Sequence, residues 1–468
     1  MLNHQQKATV GIYISGTILV LIGMVNCNPN ISQSKFSKHD LKGFPQQIQK
    51  KAPDSSDPKE FLLTIAEDTW EYFRNAIDCR TGLVVDKIWL SPDEIADYTS
   101  ITNIGLQMLA TISAMDFGFI DSSEAECRVK VVLQTLNKLP RYNGFFYNWY
   151  NLRTKKASRR YISSVDAGWL YSSLAIVMTT FPNLAEICAS LINQADFGWL
   201  YDNSLHHFYL GFDTEQECYT PYHYGLLCSE SRICLYWGIL QGAIPPEDWF
   251  YQERTINQDF KQAQIPQGAY TEKFGISYFK GYYTYDDISI VPSWGGAMFE
   301  FLMPGLLINE RKLAPQGIGE NNRRAVQIHI DYALNKLGYL IWGMSPSTNP
   351  ARGYAEYGVP LIGSKVDGYS PTIISPHASI LALPYAPQAV IENLKMMLSK
   401  YPVYGEYGFY DSIDPHTGEV GRAYLALDQS MVLISLNNYL NDNAITDRFE
   451  QLVSFAKISE LLTEDDLF

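Results

Sequence analysis

The segment 342–360 (WGMSPSTNPARGYAEYGVP) and the stretches SPHASILALPYAP (375–387) and YGEYGFYDSIDP (404–415) are dense in glycine, proline and tyrosine. They carry carboxylates at Glu356, Glu406, Asp411 and Asp414. Glycine and proline break the backbone ladder of a helix, while tyrosines supply flat faces with hydroxyl tips, so these stretches read as loops lining a polar cleft. Carbohydrate is the ligand class that such a lining suits, because sugar rings stack on aromatic faces and their hydroxyls need carboxylate and amide partners. Composition alone leaves ordinary turns on a helical protein equally open. If the ligand is a glycoside, its cleavage requires a proton donor to the leaving oxygen and a second carboxylate that activates water or attacks the sugar.

Several acids stand where such groups could act. Glu230 in CSESR, Asp166 in SSVDAGWL and Asp428 before Gln429 each fall near the start of a predicted helix. An acid there is also favoured by the helix dipole or as a cap, and on residue physics alone Asp166 reads as a cap. Asp411, which follows Phe409 and Tyr410 in its loop, and Asp428 suit the recognition of hydroxyls. Glu300 lies between Phe299 and Phe301. A carboxyl buried there has its pKa raised, which fits a general acid and fits a structural glutamate still better. Tyr147, Trp149, Tyr150, Trp169, Trp294, Trp342, Tyr354, Tyr357 and Tyr410 are candidate stacking platforms, with the core as the competing destination. His223 and His377 are the histidines in such loops, and both read first as structural.

The elements that must position these groups are mainly helical. Asp57-Pro58-Lys59-Glu60 supplies an N-cap, a proline at the first helical position and a reciprocal glutamate. Ser123 and Glu126 repeat the pattern before an apolar helical face that ends at Pro140. Further helices are expected over roughly 101–116, 164–180, 184–195, 229–242, 296–309, 320–337, 377–383, 386–400, 428–440 and 443–462. Between them, 143–154, 197–213 and 276–287 are aromatic and alternating and read as β-hairpins. About a dozen helices with no βαβ alternation and no constant repeat point to an all-α fold, an (α/α)6 toroid with short β-hairpin insertions at the loop end. Its mouth would collect the Gly- and Tyr-rich connections.

With 468 residues, 46% of them hydrophobic and 18% charged, the chain can bury a large core. A net charge of -14 argues against nucleic acid as a partner and disfavours an anionic substrate. Seven cysteines show no CxxC pair and no metal spacing with the eight histidines, so no metal site is expected and free buried thiols are the first reading. Residues 8–25 are apolar and uncharged and are followed by Cys27. They read as an export signal or membrane anchor, residues 1–27 in all, with 28–56 as polar linker and 57–468 as the folded domain. The expected location is periplasmic or cell-surface.

Several segments together resemble known families. TSITNIGLQML (99–109), GFFYNWYNLRT (144–154), YISSVDAGWL (161–170), FGWLYDNSLHHFYLGFD (197–213) and LCSESRICLYWGILQGAIPPEDWF (227–250) resemble the central region of cyclic β-1,2-glucan synthases. SWGGAMFEFLMP (293–304), the 342–360 and 375–387 segments, 404–415 and LALDQSMVLISLNNY (425–439) resemble the glucoamylase-like family that includes endo-β-1,2-glucanases. The NWY and SVD segments are shared with the family of unknown function 3131. The resemblance spans about residues 60–440 and implies an (α/α)6 domain acting on oligo- or polysaccharide of β-1,2-linked glucose, with no metal or organic cofactor. It makes Glu230 the first choice for the acid and raises Asp166 from cap to base or sugar-binding residue. One departure stands out: transglycosylating relatives carry a glutamate in the segment matching MSPS (344–347), where this chain has Pro346. A nucleophile at that position is therefore missing, which leaves an inverting hydrolase or a non-catalytic glucan-binding protein. A polysaccharide lyase is the third and least favoured reading.

Overall fold

The structure, a computed structural model, describes residues 36–257 and 259–468. The apolar segment 8–25 and Cys27 lie outside the described residues. Fourteen α-helices are described, in chain order α1 (Pro58–Asn75), α2 (Ile101–Asp116), α3 (Ser122–Leu136), α4 (Ser164–Thr180), α5 (Ala185–Ile192), α6 (Arg232–Gln241) and α7 (Met298–Leu302), followed by α8 (Glu310–Leu313), α9 (Ile318–Asp331), α10 (Pro376–Leu381), α11 (Pro387–Lys400), α12 (Ala426–Leu440), α13 (Ala444–Glu450) and α14 (Phe455–Glu464). None of the described helices is long and apolar enough to cross a membrane.

The helices sort into two layers by sequence pattern. In α2, α4, α6 and α12 nearly every residue is buried, including polar ones such as Asn103, Gln107, Ser172 and Ser173. A helix apolar on all sides must be enclosed by others, and these are. Helix α4 packs on α6 and α2, α2 on α12, α12 on α10, and α10 on α7. The outer helices carry one apolar stripe each: α1 lies over α12 and α2, α3 over α2, α5 over α4, α9 over α7, α11 over α10 and α14 over α6.

Several helix boundaries differ from expectation for local reasons. The 296–309 helix stops at Leu302 and gives way to a tight turn, Met303–Leu306, because Pro304 removes a ladder donor. The 443–462 helix is two, and the 229–242 helix begins only at Arg232, so Glu230 stands in the turn before it. The 276–287 stretch is not a hairpin: Ile276–Tyr285 is one strand, between partners Gln267–Lys273 and Ile288–Ile290. Residues 36–50 are not free linker either. Leu41 and Phe44 are buried in the core, and the backbone N–H groups of Gln46 and Gln47 donate to Glu406 at 2.7 and 2.9 Å.

The short strands matter chiefly because they lace together the starts of the inner helices. Tyr98–Ser100 pairs with Trp149–Asn151, with Ser100 opposite Trp149 at the head of α2. Tyr161–Ser163 pairs with Gly211–Asp213 at the head of α4. Lys87–Trp89 pairs with Ala423–Leu425 at the head of α12. Each pairing ends at a helix N-terminus, and these ends share one cavity.

Candidate active site

The cavity encloses about 950 Å³, part of it open to solvent, and its wall includes Asp86, Asn103, Asp166, Glu230 and Glu300 together with Trp149, Trp169, Tyr354 and Tyr369. Ser100 caps α2 by accepting from Asn103 N–H at 3.1 Å, and Ser163 caps α4 by accepting from Asp166 N–H at 3.4 Å. The sequences TSIT and SSVD thus place a polar first turn at the cavity and leave the apolar remainder of each helix to the core.

Asp166 is held by hydroxyls. Thr102 Oγ1 donates to its Oδ1 and Ser163 Oγ to its Oδ2, both at 2.6 Å. Burial raises its pKa above the ordinary carboxylate range, and the hydrogen bonds from Ser163, Thr102 and Asn148 pull the other way. Glu230 has far less support. It is 7% exposed, and Ser229 Oγ donates to its Oε2 at 3.0 Å. Burial, with the negative charge of Glu300 added, pushes its pKa up to about 7.

Glu300 sits in a cradle of donors: Ser293 Oγ at 2.6 Å, Gly295 N–H at 3.1 Å and Ala297 N–H at 3.0 Å all reach its Oε2. Burial raises its pKa to about 6 against these bonds. The cradle depends on glycines, since a Cβ on Gly295 would lie 2.2 Å from the Tyr369 ring, while Gly296 has φ +79° and a Cβ there would meet Val359 O at 2.0 Å. Asp86 accepts from Asn103 Nδ2 at 2.9 Å, and burial raises its pKa with Lys87 opposing.

Of the residues singled out in the sequence, Glu230, Asp166, Glu300, Trp149 and Tyr354 are brought to this cavity, and Trp169 joins them. Others are not. Tyr150 is buried, with its hydroxyl donating to Pro140 O at 2.6 Å and accepting from Tyr147 N–H at 2.9 Å, so Tyr147 and Tyr150 belong to the core. Trp342 is buried too, its backbone N–H donating to Asn393 Oδ1 at 3.1 Å. Trp294 borders a separate small cavity beside His223 and Ser229. Glu356 lies outside the cavity wall, Glu406 holds the N-terminal segment, and Asp414 closes a turn by accepting from His416 and Thr417 N–H. Asp411 and Asp428 are buried behind the wall, near enough for their charges to act on its Asp86 and Tyr354, in a cluster with His377. For Tyr150, Glu406 and Asp414 the reason is local: their polar atoms already meet partners within the protein.

Asp86, Asn103 and Tyr369 were missed by sequence reasoning. For Asp86 a signal existed, a charged pair inside the apolar run LVVDKIWL. Pro346, where a glutamate is missing relative to the transglycosylating relatives, lies in the cavity wall. The six described cysteines are unbridged, with Cys188, Cys228 and Cys234 buried.

Residues 261–452 match the family described as "Putative glucoamylase", and residues 64–213 match the protein family of unknown function 3131. The cyclic β-(1,2)-glucan synthase NdvB of Rhizobium meliloti is 24% identical over 77% of this chain and 17% of its own length. An exo β-1,2-glucooligosaccharide sophorohydrolase of Parabacteroides distasonis is 20% identical over 81% of this chain and 55% of its own. The chain therefore spans about half, or much less, of the curated relatives it matches. Among solved structures, an endo-β-1,2-glucanase from Chitinophaga pinensis in complex with sophorotriose and glucose superposes with a TM-score of 0.67 at 17% identity, covering 87% of this chain and 98% of that one.

Proposed function

We propose that this protein is an exported glycoside hydrolase that cleaves a β-1,2-linked glucan with inversion, Glu230 serving as proton donor and Asp166 as the carboxylate that activates water. The observation that carries the reading is Glu230 itself, a cavity-facing carboxyl with no cation hydrogen-bonded to it and a pKa near 7. Such a group holds its proton near neutrality and can release it to a leaving oxygen. As the bond from the anomeric carbon to the glycosidic oxygen breaks, Glu230 protonates that oxygen. Water attacks the anomeric carbon from the opposite face and passes a proton to Asp166, giving a hemiacetal of inverted configuration. Trp149 and Tyr354 supply stacking faces for the sugar rings. The proline at position 346 supports inversion over double displacement, since it offers no nucleophile.

The wider frame belongs to the same proposal. The arc of inner helices closes as an (α/α)6 toroid, a reading supported by Arg232 at the head of α6 donating to Phe301 O in α7 at 2.8 Å. Residues 8–25 direct export or anchor the chain in a membrane, supported by their uncharged apolar composition. The names of the relatives support β-1,2-glucan as the saccharide partner.

The same proline favours a second reading, a glucan-binding protein without turnover. Incubating the protein with β-1,2-, β-1,3-, β-1,4- and α-1,4-glucans while following reducing ends separates the two. Reducing ends are expected from β-1,2-glucan alone, and Glu230→Gln is expected to cut turnover by about 10²–10⁴-fold while binding persists. Cleavage of α-1,4-glucan alone overturns the linkage. Binding without cleavage by the wild type establishes the second reading.

A further inference from the structure

Three side chains far apart in sequence meet outside the cavity. His377 is the second residue of α10, Asp411 lies in the loop before Ser412–Ile413, and Asp428 is in the first turn of α12. Two contacts join these elements: α10 packs on α12, and Ile374 N–H donates to Ile413 O at 2.9 Å. One nitrogen of the imidazole and one oxygen of each carboxylate lie within 4.8 Å of one another. His377 Nδ1 stands 3.6 Å from Asp428 Oδ2, too long for a hydrogen bond.

All three residues are 2–3% exposed, yet their polar atoms go unanswered. Neither ring nitrogen of His377 has a hydrogen-bond partner, and Asp411 Oδ1 and Asp428 Oδ2 have none outside the carboxyl pair that Asp411 and Asp428 form with each other. Buried polar atoms are normally satisfied, and unanswered polar atoms on all three side chains of one buried cluster call for a common partner.

We propose that His377, Asp411 and Asp428 bind one divalent first-row transition-metal ion, zinc by preference. A dication cancels the charge of two buried carboxylates that otherwise repel each other, and it takes the imidazole lone pair. Bonds of about 2.0–2.2 Å to a tetrahedral ion set ligand atoms about 3.3–3.6 Å apart, which matches the one separation above. Calcium and magnesium prefer oxygen ligands alone and more of them. Asp411 is already oriented for the task, since Thr348 donates both its N–H and its Oγ1 to Oδ2 at 2.6 Å and leaves Oδ1 facing the cluster. The ion would brace α10, α12 and the 403–414 loop from behind the cavity wall. The expectation of no metal site arose because these ligands share no spacing motif.

Elemental analysis of the full chain, purified after growth with added zinc chloride and passed over a desalting column, tests the site without reference to any glucan. About one equivalent of zinc or another first-row divalent ion per chain is expected, with Tm higher by about 3 °C or more in zinc chloride than after EDTA treatment. His377→Gln and Asp428→Asn should each lose the ion and the Tm difference. A wild type holding less than about a tenth of an equivalent, with the same Tm in zinc and EDTA, overturns the proposal. So does either variant retaining a full equivalent. If the variants do not fold, the wild-type measurements decide by themselves.

Discussion

Glu230 and Glu310 are both buried near the head of α6, and their surroundings are opposite. Glu310 receives Arg232 Nε at 2.7 Å, Arg232 Nη2 at 3.0 Å, Tyr236 hydroxyl at 2.8 Å and Asn322 Nδ2 at 2.9 Å. Glu230, two residues before Arg232, receives one serine hydroxyl and faces the like charge of Glu300. The guanidinium turns away from Glu230 toward Glu310 and the carbonyls of Leu227, Ser229 and Phe301. A carboxylate with a cation and a full set of donors fixes a helix. One left without a counter-ion at a cavity keeps its proton, and that is a property chemistry can use.

The contrast breaks most visibly if the cation is removed. Arg232→Met leaves Glu310 buried and uncompensated and is expected to cost about 3–5 kcal/mol of stability, read by urea unfolding at neutral pH. Glu230→Gln should cost none. Equal losses from the two variants would mean that Glu230 is as structural as Glu310.

A second test sets two tryptophans against each other. Trp342 is enclosed and its backbone is tied to Asn393, whereas Trp149 meets the Tyr98 ring edge-on, with centroids 5.5 Å apart, at the cavity. Trp342→Ala is expected to cost about 3–5 kcal/mol of stability. Trp149→Ala should instead weaken oligosaccharide binding by about 1–3 kcal/mol with a smaller change in Tm. Calorimetric titration beside thermal unfolding distinguishes them, and the reverse pattern would return Trp149 to the core.

The way these residues divide shows what the chain makes legible. Helix starts at Asp57, Ser100 and Ser163 are written in short-range capping chemistry, so these elements and the polar turn of Asp166 are legible in the sequence, whereas α6 starts without a side-chain cap and leaves Glu230 before it. The destinations of Trp342 and Tyr150 could not, because a buried and a cavity-lining aromatic ring follow the same local rules. Asp86 and Asn103 become a site pair only when the Lys87–Trp89 strand meets Ala423–Leu425 and its end reaches α2. Asp411 and Asp428 read from sequence as acids for recognising hydroxyls, and their company with His377 depends on contacts between α10 and α12 that no spacing encodes.

The unpaired state of Glu230 should also register in stability. Its folded pKa near 7 lies above the ordinary glutamate value, so from about pH 4.5 to 7 the unfolded chain loses this proton while the folded one keeps it. The folded state binds more protons over that window, and stability falls as pH rises through it. Glu230→Gln removes the term, so it should match the wild type near pH 4 and exceed it by on the order of 2–3 kcal/mol above pH 8. Denaturant midpoints at the two pH values check this, and a gain independent of pH would point to repacking rather than to the titration.

The smallest effect expected is also the most specific to the pairing of Glu230 with Glu300. The proton donor must be protonated in the free enzyme, so kcat/KM should fall as pH rises through about 7. Burial is the first cause of that value and the charge of Glu300 the second, opposed by the serine hydroxyl and by Arg232. Glu300→Gln removes a negative charge and leaves burial in place, so Glu230 gives up its proton more readily and the alkaline limb should move to lower pH, by roughly one unit. Ser293 and the Gly295 and Ala297 N–H groups then face a neutral amide, so Tm is measured alongside to separate loosening of the cradle from the electrostatic effect. A limb that stays in place while Tm is unchanged would show that Glu300 contributes no field at Glu230, and that burial alone sets the proton donor.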